Sequence, residues 1–387
     1  MSKRKSHDFG FGLETEFLLI DQMTGTPRWE NSLQFSKLNA LLESIPFEDI
    51  GDLSGLELEA PHRKVMPFVV EGYGVPDAEF KVVDVRPKGL EIRTPVSTSL
   101  DECLDSHAIL FHRMQNALRA EGLAATTISH HPTETQFVGP QNKRRHDFWR
   151  WAMQAMTTFG PDVNVSVPHE VAAKLDFSDL ERKVDAYAPA LAAFSVASPF
   201  FGGKLWRPYE HAGNALQKQT GKSIRSWRRS VVAPPIEIHP EEDGRLEFKV
   251  FEMSPLQSDY RNYFLLFLTL LLDETLTDRA DAAERIYALG SVATQGLRAP
   301  EIEKRAATIL ERARVILPTW GFSAHSLKSF ENRFDRKRVP ADSMIEAHLN
   351  GQSIEKLLLT RATLIDDDSI DAVTRLGLSE QAPFALN

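Results

Sequence analysis

Polar and apolar residues alternate from Phe9 to Asp21. Phe9, Phe11, Leu13, Thr15, Phe17 and Leu19 fall on one side, and Gly10, Gly12, Glu14, Glu16, Leu18 and Ile20 on the other. A period of two predicts a strand, with Glu14 and Glu16 projecting from one face. A helix is predicted over Ser32 to Ser44. Glu79 to Asp84 and Leu90 to Thr94 predict two further strands, and Pro87-Lys88-Gly89 between them is a turn signal that would pair them as a hairpin. Ser99 is placed to cap a helix running to about Glu121: Glu102 follows at capping-box spacing, and Gly122 ends the helix. Leu123 to His130, closed by Pro132, predicts a strand, as does the alternation of Val163, Val165 and Val167 with Asn164 and Ser166. Asp179 to Ser198 predicts an alanine-rich helix with Pro189 at a kink or boundary, and Leu246 to Glu252 another strand. From Ser258 onward the pattern is helical, over roughly 258–278, 280–296, 299–316 and 352–361.

Strands therefore come early, interleaved with helices, and the last third is helical. There is no regular strand–helix–strand rhythm and no repeat of fixed period. This favours an α+β fold, an antiparallel or mixed sheet with helices segregated to one side, over a doubly wound parallel sheet. The expected organisation is residues 1–260 as a sheet-and-helix unit, with 261–387 a helical part packed on it in one continuous domain. The 387 residues suffice for a sizeable core, and 42% hydrophobic with 26% charged residues is ordinary for a globular protein. The net charge of −9 argues against a general nucleic-acid binder. Met1 to His7 is basic but lacks the apolar stretch of a secretory signal, and the most apolar run, Phe264 to Leu272, is too short to span a bilayer and predicts a buried helix. A soluble cytoplasmic protein is the expectation. The single cysteine, Cys103, excludes an internal disulfide and a multi-cysteine zinc site, and its helical setting predicts a small packed residue. Asn142 to His146 reads as a basic loop or helix start, and Asp366-Asp367-Asp368 as a solvated turn without EF-hand spacing.

The candidate chemistry lies on the strands. Glu14 and Glu16 share a face beside apolar Phe17 to Ile20. Such a pair repels itself unless water or a cation screens it, and its hard oxygens suit magnesium or manganese. A half-exposed strand can also carry two glutamates without binding anything. Glu91 and Arg93 share a second face, and Glu247 and Lys249 a third; each is either an ion pair or a metal ligand beside a cation for phosphate or carboxylate. Asn164 and Ser166 form a polar face on a valine strand. Arg225, Trp227, Arg228 and Arg229 could hold a polyphosphate and stack a purine, or form a basic loop. His130 and His131 end a strand but point oppositely, so at least one is structural. Leu56 to Tyr73 has no clear pattern and is a candidate loop over the site. Phosphate-loop, dinucleotide-fingerprint, His-Glu-x-x-His and nucleophile-elbow patterns are absent from the sequence.

Taken in order, these segments resemble the glutamate–cysteine ligase family 2, the carboxylate–amine ligases. The resemblance is carried by Gly12-Leu13-Glu14-Thr15-Glu16-Phe17, Leu90-Glu91-Ile92-Arg93-Thr94-Pro95-Val96, Ser129-His130-His131-Pro132, Asp162 to Val167, Leu191 to Gly203, Ile224-Arg225-Ser226-Trp227-Arg228 and Leu246-Glu247-Phe248-Lys249-Val250, from about residue 9 to 260. It implies a curved, mainly antiparallel sheet of the glutamine synthetase and guanidino kinase type, with helices on the outer face. It implies ATP, with magnesium or manganese, and an amide made through an acyl phosphate. The expected substrates are a small carboxylate, glutamate first, and an amine; neither nucleic acid nor membrane is expected as a partner, and a homo-oligomer is compatible. Glu14, Glu16, Asp84, Glu91, Asn164 and Glu247 would face metal, Arg225, Arg228 and Lys249 the nucleotide's phosphates, and Arg93 a substrate carboxylate, with Arg225, Lys249 and Arg93 the catalytic candidates. Three departures stand out. Asn164 and Ser166 replace the family's paired histidines, and Lys249 replaces an arginine, which keeps charge but loses the planar fork. Two alternatives follow: a catalytically weakened homologue that binds a metabolite or partner, and a phosphotransferase of the same fold.

Overall fold

The computed structural model describes residues 8–139, 150–229, 233–242 and 244–365. Met1 to His7, Asn142 to His146 and Asp366 to Asp368 lie outside the described residues. The strands are β1 (Gly10–Asp21), β2 (Phe68–Pro76), β3 (Val82–Arg93), β4 (Leu123–Thr126), β5 (Pro161–Ser166), β6 (Phe200–Phe201), β7 (Lys204–Leu205), β8 (Ile236–His239) and β9 (Arg245–Phe248). Seven form one sheet in the order β2-β3-β1-β5-β9-β8, with β4 also on β1; β6 and β7 make a separate two-stranded ribbon. All pairings within these sheets are antiparallel.

Period-two alternation gives the sheet two unlike faces. Phe11, Leu13, Phe17, Leu90, Ile92, Val163, Val165, Leu246 and Phe248 are buried on the back. The helices Leu100–Ala120 and Gln257–Leu272 cover it: Phe111 meets Phe17, Phe264 meets Phe11, and Phe267 stacks on Phe248 at 4.6 Å. Thr15 on the same face hydrogen-bonds His107 at 2.8 Å. The run Phe264 to Leu272 is buried throughout, as the sequence predicts, and among the described residues no helix is long and apolar enough to cross a membrane. Ser99 caps its helix by accepting from the Glu102 amide, and Cys103 is buried, its thiol pushed up to about 12 by burial.

Several predicted elements differ from those found. Glu79 to Asp84 and Leu90 to Thr94 are not two arms of a hairpin. Val82 to Asp84 and Leu90 to Arg93 belong to one strand, β3, which pairs with the unpredicted β2, and Glu79 lies in the turn at 77–81. The Asp77 carboxylate accepts from the Glu79 and Lys81 amides there, and Phe80 takes a left-handed φ of 65°. Pro87-Lys88-Gly89 is a bulge: Glu71 pairs with Gly89 and Gly72 with Pro87, leaving Lys88 as the extra residue. Proline fits here because β3 pairs with β1 only from Leu90 on, so no ladder on that side needs its missing N–H. Gly89 is required, since a Cβ would sit 2.0 Å from the Phe17 carbonyl oxygen. The Leu56 to Tyr73 stretch divides into an irregular segment and the first half of β2. The helix predicted to Ser198 ends at Ala193 and runs through Pro189, and the strand predicted to His130 ends at Thr126. β8 and the helices Lys328–Arg336 and Pro340–Leu349 are unpredicted.

One apolar core runs from Phe11 to Leu364. Buried polar ties join the last hundred residues to the rest of the core. Arg333 makes two bonds to Asp259, at 2.7 and 2.9 Å; Lys222 reaches Asp342 at 2.5 Å; Arg361 donates to the Thr127 and Met253 carbonyls. Arg333→Ala leaves the fully buried Asp259 without its fork, which costs about 3 kcal/mol. A clear drop in the urea midpoint is expected, and an unchanged midpoint would count against these ties holding the helices down.

Candidate functional site

The front of the sheet gathers the acidic residues because register places them opposite one another. Glu16 pairs with Glu91, Glu14 with both Arg93 and Asp162, Asn164 with Glu247, and Glu247 with Glu237. Directly opposed residues share a face, so the carboxylates form a patch across five strands. One oxygen each from Glu14, Asp162 and Glu247 lies within 4.8 Å of the others. Glu237, His239 and Glu247 form a second such group toward the edge strand.

Protein cations are seated between these anions. Lys88, buried on the bulge, donates from Nζ to Glu16 Oε1 at 2.7 Å and to the Thr158 carbonyl at 3.0 Å, and lies over the Phe159 ring. The Gly160 amide donates to the other Glu16 oxygen at 3.0 Å. Arg93 reaches Glu91 Oε2 at 3.1 Å and Glu59 Oε1 at 2.7 Å. Arg245 donates to Asn164 Oδ1 at 2.8 Å, Glu247 Oε2 at 2.9 Å and Glu242 Oε2 at 2.8 Å. Lys249 meets Glu247 Oε1 at 2.7 Å and Glu237 Oε2 at 3.3 Å, with Asp162 Oδ2 at 3.7 Å.

The cations divide the carboxylates into two groups. Burial raises Glu14 and Glu91; Arg93 only partly offsets it, and neighbouring acids add to it. Burial likewise pushes Asp162 and Glu71 up to about 7. Burial opposes the ionisation of Glu16 and Glu247 too, but Lys88 holds Glu16, and Lys249 with Arg245 holds Glu247, below the ordinary carboxylate range. Lys249 is raised in return: burial opposes its charge, and Asp162 and Glu247 overcome it. Asp162 Oδ1 is buried without a hydrogen-bond partner among the described residues. A proton shared with Glu247 or a bound cation would satisfy it, and an all-oxygen donor set of this kind fits magnesium or manganese.

Beside the patch, Arg225, Arg229, Lys249 and Arg285 line a small pocket whose other walls include Pro234, Pro235 and Leu289. Arg225 is fully buried. Its guanidinium donates to the Lys249 and Val250 carbonyls, its Nε has no partner among the described residues, and burial, with Arg229 nearby, lowers its pKa to about 10. A Cβ on Gly160 would meet Arg225 Nη2 at 2.0 Å, so glycine is needed for the guanidinium to lie against that backbone.

The structure thus brings Glu14, Glu16, Glu91, Arg93, Asn164, Glu247 and Lys249 together, with Arg225 adjoining them. Two predicted residues stand elsewhere. Asp84 is exposed on the β2–β3 hairpin, seven residues from Glu91 and so roughly 20 Å along the strand. Arg228 turns away, donating to the Thr135 carbonyl and the Thr157 hydroxyl and packing on Phe201. His130 and His131 are both buried in local hydrogen bonds, outside the acidic patch. Sequence reasoning missed Asp162, Lys88 and Arg245, and it named Arg229 within the basic stretch but gave the phosphate role to Arg225 and Arg228. Asp162 had a signal, standing two residues before Asn164 on one strand face, and so did Arg245, two before Glu247. Lys88 had none, because Pro-Lys-Gly reads as a turn. Arg229 replaces Arg228 because helical geometry, not strand geometry, governs Ile224–Arg229.

Comparison with known proteins places this chain in a family. The sequence profile of glutamate–cysteine ligase family 2 matches residues 10–221, more than half of the chain. No curated protein sequence matches. Among solved structures, the chain resembles the glutamate–cysteine ligase of Francisella tularensis in complex with AMP, at TM-score 0.57 and 13% identity, over 98% of this chain and 90% of that one. It also resembles a bifunctional glutathione synthetase from Pasteurella multocida, at 0.54 and 14%, over 92% and 51%. The ligase PafA in complex with the ubiquitin-like protein Pup follows, at 0.50 and 12%, over 96% and 79%. At these identities the likeness is one of fold: a curved antiparallel sheet of glutamine synthetase type, as the sequence resemblance implies.

Raised acids give a signed pH effect. Below about pH 4 their contribution to folding is full, and it is lost as pH rises through about 7, because the native state holds protons the unfolded chain has released. Asp162→Asn with Glu71→Gln should flatten the fall in urea midpoint between pH 4.5 and 7.5 (about those limits, set by the unfolded and folded values). A slope equal to the parent's would remove this account of the patch.

Proposed function

The chain belongs to the glutamate–cysteine ligase family 2, and from that premise we propose that it is an ATP-dependent ligase that joins a small carboxylate, glutamate first, to an amine. The observation that carries the reading is the three-strand carboxylate group of Glu14, Asp162 and Glu247, beside a cation-lined pocket. Glu14, Asp162, Glu91 and Glu247 would hold magnesium or manganese, which when bound neutralises charge on the phosphate oxygens of ATP. Arg225, Arg229 and Lys249 supply fixed positive charge for the phosphates. Arg93, its fork already on a carboxylate, is the receptor for the substrate's own carboxylate. In the reaction a substrate carboxylate oxygen takes the γ-phosphoryl group and ADP leaves; the amine nitrogen then attacks the acyl carbon, and phosphate and a proton depart. The chain's part is to hold both reactants in line, since little covalent chemistry falls to the protein in phosphoryl transfer.

A second reading, a weakened homologue kept for binding, is favoured by one observation. Arg245 and Lys249 occupy both oxygens of Glu247, and Arg245 also takes the Asn164 oxygen. That half of the patch carries protein cations where a metal would need free oxygens. A phosphotransferase would release a phosphorylated product and no amide.

The test is magnesium-dependent ATP consumption with L-glutamate and a panel of amines, with products read by mass. ADP together with a new amide is expected. Glu14→Gln and Glu91→Gln should each lower turnover by at least about a hundredfold, in the range of lost electrostatic stabilisation, while circular dichroism and urea midpoint stay near the parent's. Full activity in both variants would end the metal-binding reading of these residues.

A further inference from the structure

The chain from 44 to 67 joins the helix Phe35–Glu43 to β2 without regular secondary structure. It reaches the acidic patch through Glu59, whose Oε1 accepts from Arg93 Nη2 at 2.7 Å. The other carboxylate on Arg93, Glu91, is 5% exposed and fixed by sheet register, whereas Glu59 is half-exposed and comes from a loop. Arg93 itself is 11% exposed. Its guanidinium therefore has one permanent partner from the sheet and one replaceable partner from outside it.

We propose that Glu59 is an internal competitor for Arg93: it occupies the guanidinium when no substrate is bound, and an incoming substrate carboxylate displaces it and frees the segment around it. The inference rests on the ligase reading for the identity of the displacing ligand. The chemistry is that of like for like. A carboxylate already seated on the guanidinium shows that the donors suit one, and Glu91 and Glu59 between them take the two Nη2 hydrogens, so a further carboxylate finds none there until Glu59 leaves. The contact is also weak enough to yield, because an ion pair with a half-exposed partner is worth little. Inside the segment, the Glu59 carbonyl accepts from the His62 amide and faces His62 Nδ1, and His62 Nε2 accepts from the Val70 amide. Release of Glu59 thus loosens the turn that carries exposed Arg63 and Lys64.

The experiment compares Glu59→Gln with the parent in two measurements. In amide formation with L-glutamate varied, KM for glutamate should fall about two- to fivefold, the fraction of Arg93 no longer occupied, without a matching fall in kcat. An unchanged or raised KM overturns the proposal, since a residue that merely positioned Arg93 would raise it. In limited trypsin digestion, cleavage after Arg63 or Lys64 should quicken in the parent when L-glutamate and MgATP are added, and should be fast without them in Glu59→Gln. If the parent makes no amide from glutamate, the ligase reading fails by itself and digestion decides. Faster cleavage of Glu59→Gln then supports Glu59 as the clasp, and cleavage equal to the parent's overturns it.

Discussion

Two unit negative charges about 5 Å apart repel by about 3 kcal/mol at an effective dielectric near 20, and the front of this sheet sets several carboxylates at such spacings. Glu14, Asp162 and Glu247 come from three adjacent strands, so the register that builds the sheet also forces the charges together. The face is tolerable because Lys88, Arg93, Arg245 and Lys249 sit between the acids, and because Glu14, Glu91, Asp162 and Glu71 are pushed toward their neutral forms. Much else in the molecule follows from keeping that face in place.

The back of the sheet supplies the counterweight. Its apolar residues pack on the helices Leu100–Ala120 and Gln257–Leu272, and aromatic contacts at Phe17, Phe11 and Phe248 fix the strands that carry the acids. Those helices are held in turn by buried forks such as Arg333 on Asp259. Burial of apolar area on one face thus offsets electrostatic crowding on the other.

The cations differ in what they leave free. Lys88 and Gly160 together engage both oxygens of Glu16, and Arg245 with Lys249 engage both of Glu247, whereas one buried oxygen of Asp162 has no partner among the described residues. The patch is therefore graded: protein cations hold Glu16 and Glu247 toward their charged forms, and burial pushes Glu14, Glu91 and Asp162 toward their neutral forms.

The sequence by itself determined the α+β class, the strand faces of Glu14, Glu16, Glu91, Arg93, Asn164, Glu247 and Lys249, the buried helix at Phe264 to Leu272, and through motif order the family. It could do so because side-chain alternation and helical periodicity are local properties of the chain. Only the tertiary structure decided which strands are neighbours, and hence that Asp162 joins Glu14, that Asp84 lies far along a hairpin, and that Arg229 and not Arg228 faces the pocket. Lys88 is the sharpest case: its proline and glycine neighbours carry the local signature of a turn, yet pairing with β2 before and after it makes the same three residues a bulge that drives an ammonium into the acidic face. Register between strands distant in sequence depends on how every apolar face is covered at once, and no single window of the chain contains that information.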